Sequence, residues 1–146
     1  MSFRFSLSGV LKYREALEQR ELAALEAVQQ EIALIEAQIE QATQELHAAG
    51  ESRTEGLKRG MRSIQLQDAI ERELGVERYR NELTKKKQEL AIKRQELFKI
   101  YDEARQKREL LEKLRDRKLG EYTRAQAKAE QATIDDLFLA RRKQVR

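Results

Sequence analysis

Apolar residues recur at alternating spacings of three and four along a stretch that no proline interrupts. Leu25, Val28, Ile32, Ile35, Ile39, Ala42 and Leu46 form this run, and β-branched residues fill most of its core positions, a coiled-coil signature. A second, weaker period of seven follows in Val76, Leu83, Leu90, Leu97, Ala104 and Leu111. Its companion positions are Tyr79, Lys86, Lys93, Ile100, Lys107 and Leu114, where lysine stems are expected to lie over a partner helix. Going backwards, the first frame meets Glu21, Glu18 and Arg14, so the reading expects the seam to shift through a stutter to Leu22, Leu17, Leu11 and Leu7. Gly75 inside the second period is compatible with either a small bend or a close approach.

Charge divides the same two stretches. Residues 14–50 hold 2 basic and 8 acidic side chains, and residues 85–118 hold 13 basic and 7 acidic, for net charges of −6 and +6. Helical arms of opposite sign lie side by side favourably in one chain, and a parallel homodimer would bring two −6 segments together. The segment GESRTEGLKRG, residues 50–60, carries three glycines, each less favourable in a helix by about 1 kcal/mol. It is the expected turn. The expected fold is all-α, a single antiparallel two-helix coiled-coil hairpin over residues 1–146 with a projecting C-terminal helix. Helix one is placed at about 8–49, the turn at about 50–60, helix two at about 61–130 and a short tail segment at about 133–146. Ser6 or Ser8 is the expected N-cap.

Folding at residue 55 sets Ile35 against Gly75, Val28 against Glu82 and Leu25 against Lys85. It predicts an aromatic cluster of Tyr13, Phe98 and Tyr101, and acidic partners for Lys85, Lys86, Lys87 and Arg94. Much of the basic segment would then reach past the N-terminus and be free for a partner. A partnerless amphipathic helix is suited to docking. Glu109–Tyr122, with Leu110, Leu111, Leu114 and Leu119, and the tail residues Ile134, Leu137, Phe138 and Leu139 are the candidate docking stretches.

Composition narrows the function classes. Charged residues make up 38% and aromatic residues 5%, with no Trp, Cys or Pro, enough for a narrow apolar seam but not a thick core. Without cysteine there is no disulfide or thiolate site. His47 is the sole histidine, so neither a metal centre nor a nucleophile–base pair is expected. No phosphate-cradling glycine motif occurs. The expectation is a protein that is not an enzyme and needs no cofactor. No apolar run reaches the roughly 18–20 residues of a membrane span, and Met1–Leu11 lacks the form of a secretory signal, so a cytoplasmic place is expected. A net charge of +4 admits nucleic acid as a partner, but intermixed acids favour a solvated face. Nucleic acid is not expected.

These residues resemble the FliJ family, the coiled-coil component of the bacterial flagellar type III export apparatus. The opening FRFSLSGVLKYREALE is similar to F-x-F-x-L-x-x-V-L-x-x-R-x-x-x-E at Phe3, Phe5, Leu7, Val10, Leu11, Arg14 and Glu18. The resemblance resumes in EARQKRELLEKLRDRKLGEY and in EQATIDDL, where Asp135 and Asp136 stand for a commonly acidic pair. It implies an antiparallel coiled coil similar to the stalk of rotary ATP synthases. Its paired terminal ends would insert into the hexameric export ATPase and stimulate it, with further binding to the export gate's cytoplasmic domain and to export chaperones. It also implies a cytoplasmic protein held peripherally at the inner face of the inner membrane, monomeric when free. Carried over by position, the ATPase contacts are Leu7, Leu11, Arg14, Leu111, Leu114, Arg115, Arg117 and Tyr122. The gate contacts are Val76, Tyr79 and Leu83, although the family favours an aromatic near position 72 where this chain has Arg72. Apart from the resemblance, the competing readings are a self-associating structural coiled coil and a basic helical hairpin for nucleic acid.

Overall fold

In the computed structural model, which describes residues 2–145, two α-helices follow one another, α1 (Ser8–Arg59) and α2 (Ser63–Val145). They pack antiparallel as a coiled-coil hairpin, with Arg53 meeting Glu73, Glu36 meeting Lys87 and Glu18 meeting Arg108. The all-α class and hairpin architecture follow the sequence reading. The turn does not.

Helix α1 runs through Gly50 and Gly56, and the chain reverses at Gly60–Met61–Arg62. Among the described glycines, Gly60 is the one with positive φ, at 89°, the left-handed conformation that ends helices cheaply only when no Cβ is present. Gly50 and Gly56 stay helical despite a penalty of about 1 kcal/mol each. Both are half-buried, and a Cβ on Gly56 would lie 2.8 Å from Met61 Cε. Helix α2 begins with the Arg62 amide donating to Gln65 Oε1 (3.2 Å), the side-chain half of a capping box. At α1, Ser8 N donates to Phe5 O (3.1 Å) and Leu11 N to Leu7 O (2.9 Å). Among the described residues no capping bond from a Ser6 or Ser8 hydroxyl forms.

The later turn moves the register. Ile35 packs not toward Gly75 but in one cluster with Val28, Ile32, Leu83 and Leu90, flanked by Ile39 and Leu97. Gly75 has nothing within 4 Å of an added Cβ, so it is not a close approach. Of Lys85, Lys86, Lys87 and Arg94, Lys87 reaches the acidic arm, at Glu36 (3.3 Å). Tyr13 and Phe98 stay exposed, at 61% and 53%, and the ring pair that forms is Phe3–Tyr122, with centroids 5.6 Å apart.

The frame of α1 also continues without a stutter. Leu11, Glu18, Leu25, Ile32, Ile39, Leu46 and Arg53 lie seven apart and are all buried or half-buried. The charged members stay inside because α2 supplies their partners. On α2 the leucine row is as expected, but its companion row falls one residue later. Arg80, Lys87, Tyr101, Arg108 and Arg115 are half-buried, whereas Tyr79, Lys86, Lys93, Ile100 and Lys107 are exposed. The expectation placed the second row three residues after each leucine; the observed spacing is four. The basic residues therefore form part of the seam, their stems covering apolar surface.

By packing the chain divides into two compact units. One comprises residues up to Arg20 with those from Asp102 onward; the other is Glu21–Tyr101. The separate tail segment expected at 133–146 is instead, as far as Val145, the end of one continuous α2. Every residue from Thr123 to Gln144 is exposed, so this stretch has no cover within the described chain.

Candidate partner-binding surfaces

In the unit that holds both chain ends, the opening alternation settles the N-terminal arm. Phe3 and Phe5 are half-buried, and Ser2, Arg4 and Ser6 are exposed, as period two requires of an extended segment with one covered face. Phe3 rests against the Tyr122 ring, and the Tyr122 hydroxyl accepts from Gln126 Nε2 (3.0 Å). Earlier in α2, Arg108 forms a fork. Its Nε and Nη2 donate to the two oxygens of Glu18, the latter at 3.1 Å, and Nη1 donates to Glu112 Oε2 at 2.7 Å. The Glu18 hydrogen bonds raise the Arg108 pKa, desolvation opposes them, and Glu112 adds to the rise. This guanidinium is always charged. It clamps α1 to α2 in the unit that also buries Leu11 and Ala104.

All eight residues carried over as ATPase contacts fall in this unit, but in different states. Leu7 and Arg117 are exposed; Arg14, Leu111, Leu114, Arg115 and Tyr122 are half-buried; Leu11 is buried at 4%. Arg14 sits 5.8 Å over the Tyr13 ring. Arg115 lies 3.7 Å from Asp116, an exposed pair of little energetic weight. Leu11 is thus part of the seam. Leu7, Arg14, Arg115 and Arg117 are the members best placed to reach a second protein. Beyond them, shallow grooves on α2 are lined by Ala129, Thr133 and Ile134, and by Ile134, Leu137, Phe138 and Arg141.

The three gate candidates lie in the other unit. Tyr79 is exposed, Val76 is half-buried, and Leu83 belongs to the apolar cluster of the seam. Tyr79 is the side chain of the three that is open to a partner.

Sequence reasoning missed the Glu18–Arg108–Glu112 clamp. The signal was present in the frame, since Glu18 stands at a core position seven residues from both Leu11 and Leu25. Reading it as a seam shift hid the need for a buried partner. His47 is exposed and lies 3.1 Å from Glu51. Among the described residues no group of His, Cys, Asp or Glu is placed to hold a metal ion, and no helix is long and apolar enough to cross a membrane.

Two long helices packed as a hairpin, with Thr123–Gln144 of α2 exposed, define an all-α coiled-coil protein. The chain belongs to the flagellar FliJ protein family, whose profile matches residues 3–145. It is accordingly a component of flagellar protein export. No curated protein and no solved structure matches the chain.

Proposed function

We propose that the chain acts as a stalk and escort in flagellar type III export, inserting its terminal end into the hexameric export ATPase and stimulating hydrolysis. The observation that carries this reading is the uncovered end of α2, Thr123–Gln144, beside an N-terminal arm held on it through Phe3 and Tyr122. A helix inserted into a ring needs a continuous hydrogen-bonded backbone and faces that offer side chains in every direction. Leu7, Arg14, Arg115 and Arg117 make the contact, while Leu11, Leu111, Leu114 and Tyr122 hold the end together. Tyr79, with Val76 and Leu83 beneath, serves the cytoplasmic domain of the export gate protein, and export chaperones bind the same escort. The chain then works peripherally at the cytoplasmic face of the inner membrane.

The test is ATP hydrolysis by the cognate flagellar export ATPase with and without the purified chain. Wild type raises turnover. Leu7→Glu with Arg117→Glu, both at exposed positions, lowers the apparent affinity for the ATPase by about tenfold or more, as expected of interface anchors, with helicity unchanged. Hydrolysis that ignores the wild-type chain overturns the reading.

A further inference from the structure

Within the unit Glu21–Tyr101, the companion row on α2 contains a gap. Arg80, Lys87 and Tyr101 are half-buried, but Arg94, in the same row, remains exposed. Lys87 is satisfied by Glu36 at 3.3 Å. Near Arg94 the hairpin instead opens into a groove of about 300 Å³, lined by Leu25, Gln29, Arg94, Gln95, Phe98 and Lys99. Its floor is the buried Leu25, and its wall is Phe98, 53% exposed. No carboxylate lines it, and among the described residues neither Arg94 nor Lys99 has an ion-pair partner.

An aromatic ring left in water forgoes the burial that makes aromatic residues effective anchors. Two unpaired cations beside it, in a chain with 26 acidic residues, leave the groove with one sign of charge. We propose that this groove docks an acidic amphipathic helix of a partner protein. The incoming helix lays a bulky apolar side chain against Phe98 and Leu25, while carboxylates on either side of it meet Arg94 and Lys99. A helix fits because its ridge of side chains seats in the furrow between two packed helices. The charges select an acidic partner and reject a basic one. This surface is independent of the terminal end and uses none of the residues assigned there.

The probe is a synthetic Ala-based helix of about eighteen residues, long enough to be helical in part, with two leucines at i and i+4 flanked by glutamates. A control replaces each glutamate by lysine. Titrated into the ¹⁵N-labelled full chain, the glutamate peptide shifts the amides around Leu25, Gln29 and Phe98 saturably, and the lysine peptide does not. Phe98→Ala weakens binding about tenfold, the loss expected for an aromatic anchor. Arg94→Gln with Lys99→Gln weakens it by about threefold or more, and the loss disappears at high salt. Lys85→Gln with Lys86→Gln leaves it unchanged. Because these side chains are exposed, the variants keep their helicity, and stimulation of the export ATPase is untouched. Binding insensitive to both Phe98→Ala and the Arg94/Lys99 variant overturns the proposal, as do shifts spread over all lysines. Concentration-dependent shifts of the same amides without peptide would assign the groove to a second copy of the chain and also overturn it.

Discussion

Glu18 and Arg108 show how much one pair of side chains decides. Their side chains are 10% and 20% exposed, so removing one leaves the other charged and poorly solvated. Glu18→Ala is expected to cost about 2–4 kcal/mol, whereas Glu18→Leu with Arg108→Leu recovers most of the loss by extending the apolar seam. Urea unfolding followed by helicity checks both. The Glu18 hydrogen bonds hold the folded pKa of Arg108 above its already high ordinary value. Its contribution is therefore fully present below that value and is lost only above it, outside working conditions. The glycines make a second residue-scale contrast. Gly60 has φ 89°, so Gly60→Ala should cost about 1–2 kcal/mol. Gly75 is helical with open space around it, so Gly75→Ala should stabilise by about 0.5–1 kcal/mol. Thermal unfolding of the two variants should move in opposite directions.

At the scale of the element, α2 is two kinds of helix in one. As far as Tyr122 its apolar row is covered and its basic row is half-buried except at Arg94; from Thr123 to Gln144 every residue is exposed. Isolated helical stretches gain little stability from propensity alone. Ending the chain after Tyr122 should therefore leave the thermal midpoint of the hairpin within about 2 °C, since no packing is lost. Helical signal should fall in proportion to the residues removed, and hydrogen exchange in the intact chain should be fastest along this stretch. The acidic side chains of α1 do two jobs at the same scale. Glu18 and Glu36 each meet a base of α2, while others remain in water.

At the scale of the whole molecule, the charge reversal closes the hairpin more fully than a turn at 50–60 would have allowed. Lys87 and Arg108, both in the +6 segment, meet acids of α1. The stretch beyond it, residues 119–146, has six bases and four acids, net +2. The free end is therefore not the strongly basic extension expected. Raising salt to about 1 M should weaken exposed pairs such as Glu36–Lys87 more than the Arg108 clamp. Stability should then fall only modestly, and light scattering should report the same mass at low and high salt.

Heptad spacing and the absence of proline determined two long helices, and opposite charge determined that they pair, because periodicity and sign are local properties of the chain. The FliJ resemblance in the opening motif and in the stretch before Tyr122 was equally legible. The turn was not. Three glycines offered three places to reverse, and only the folded chain decided that Gly50 and Gly56 remain helical, Gly56 close against Met61 of the turn, while Gly60 takes positive φ. That shift of the turn altered every cross-helix pair, since register in a hairpin is set by its turn. Tertiary structure therefore decided which base meets Glu18, that the second row of α2 falls four residues after each leucine, and that Phe98 stands open beside Arg94. A helical face is written in the spacing of residues; which face is covered depends on where the other helix arrives.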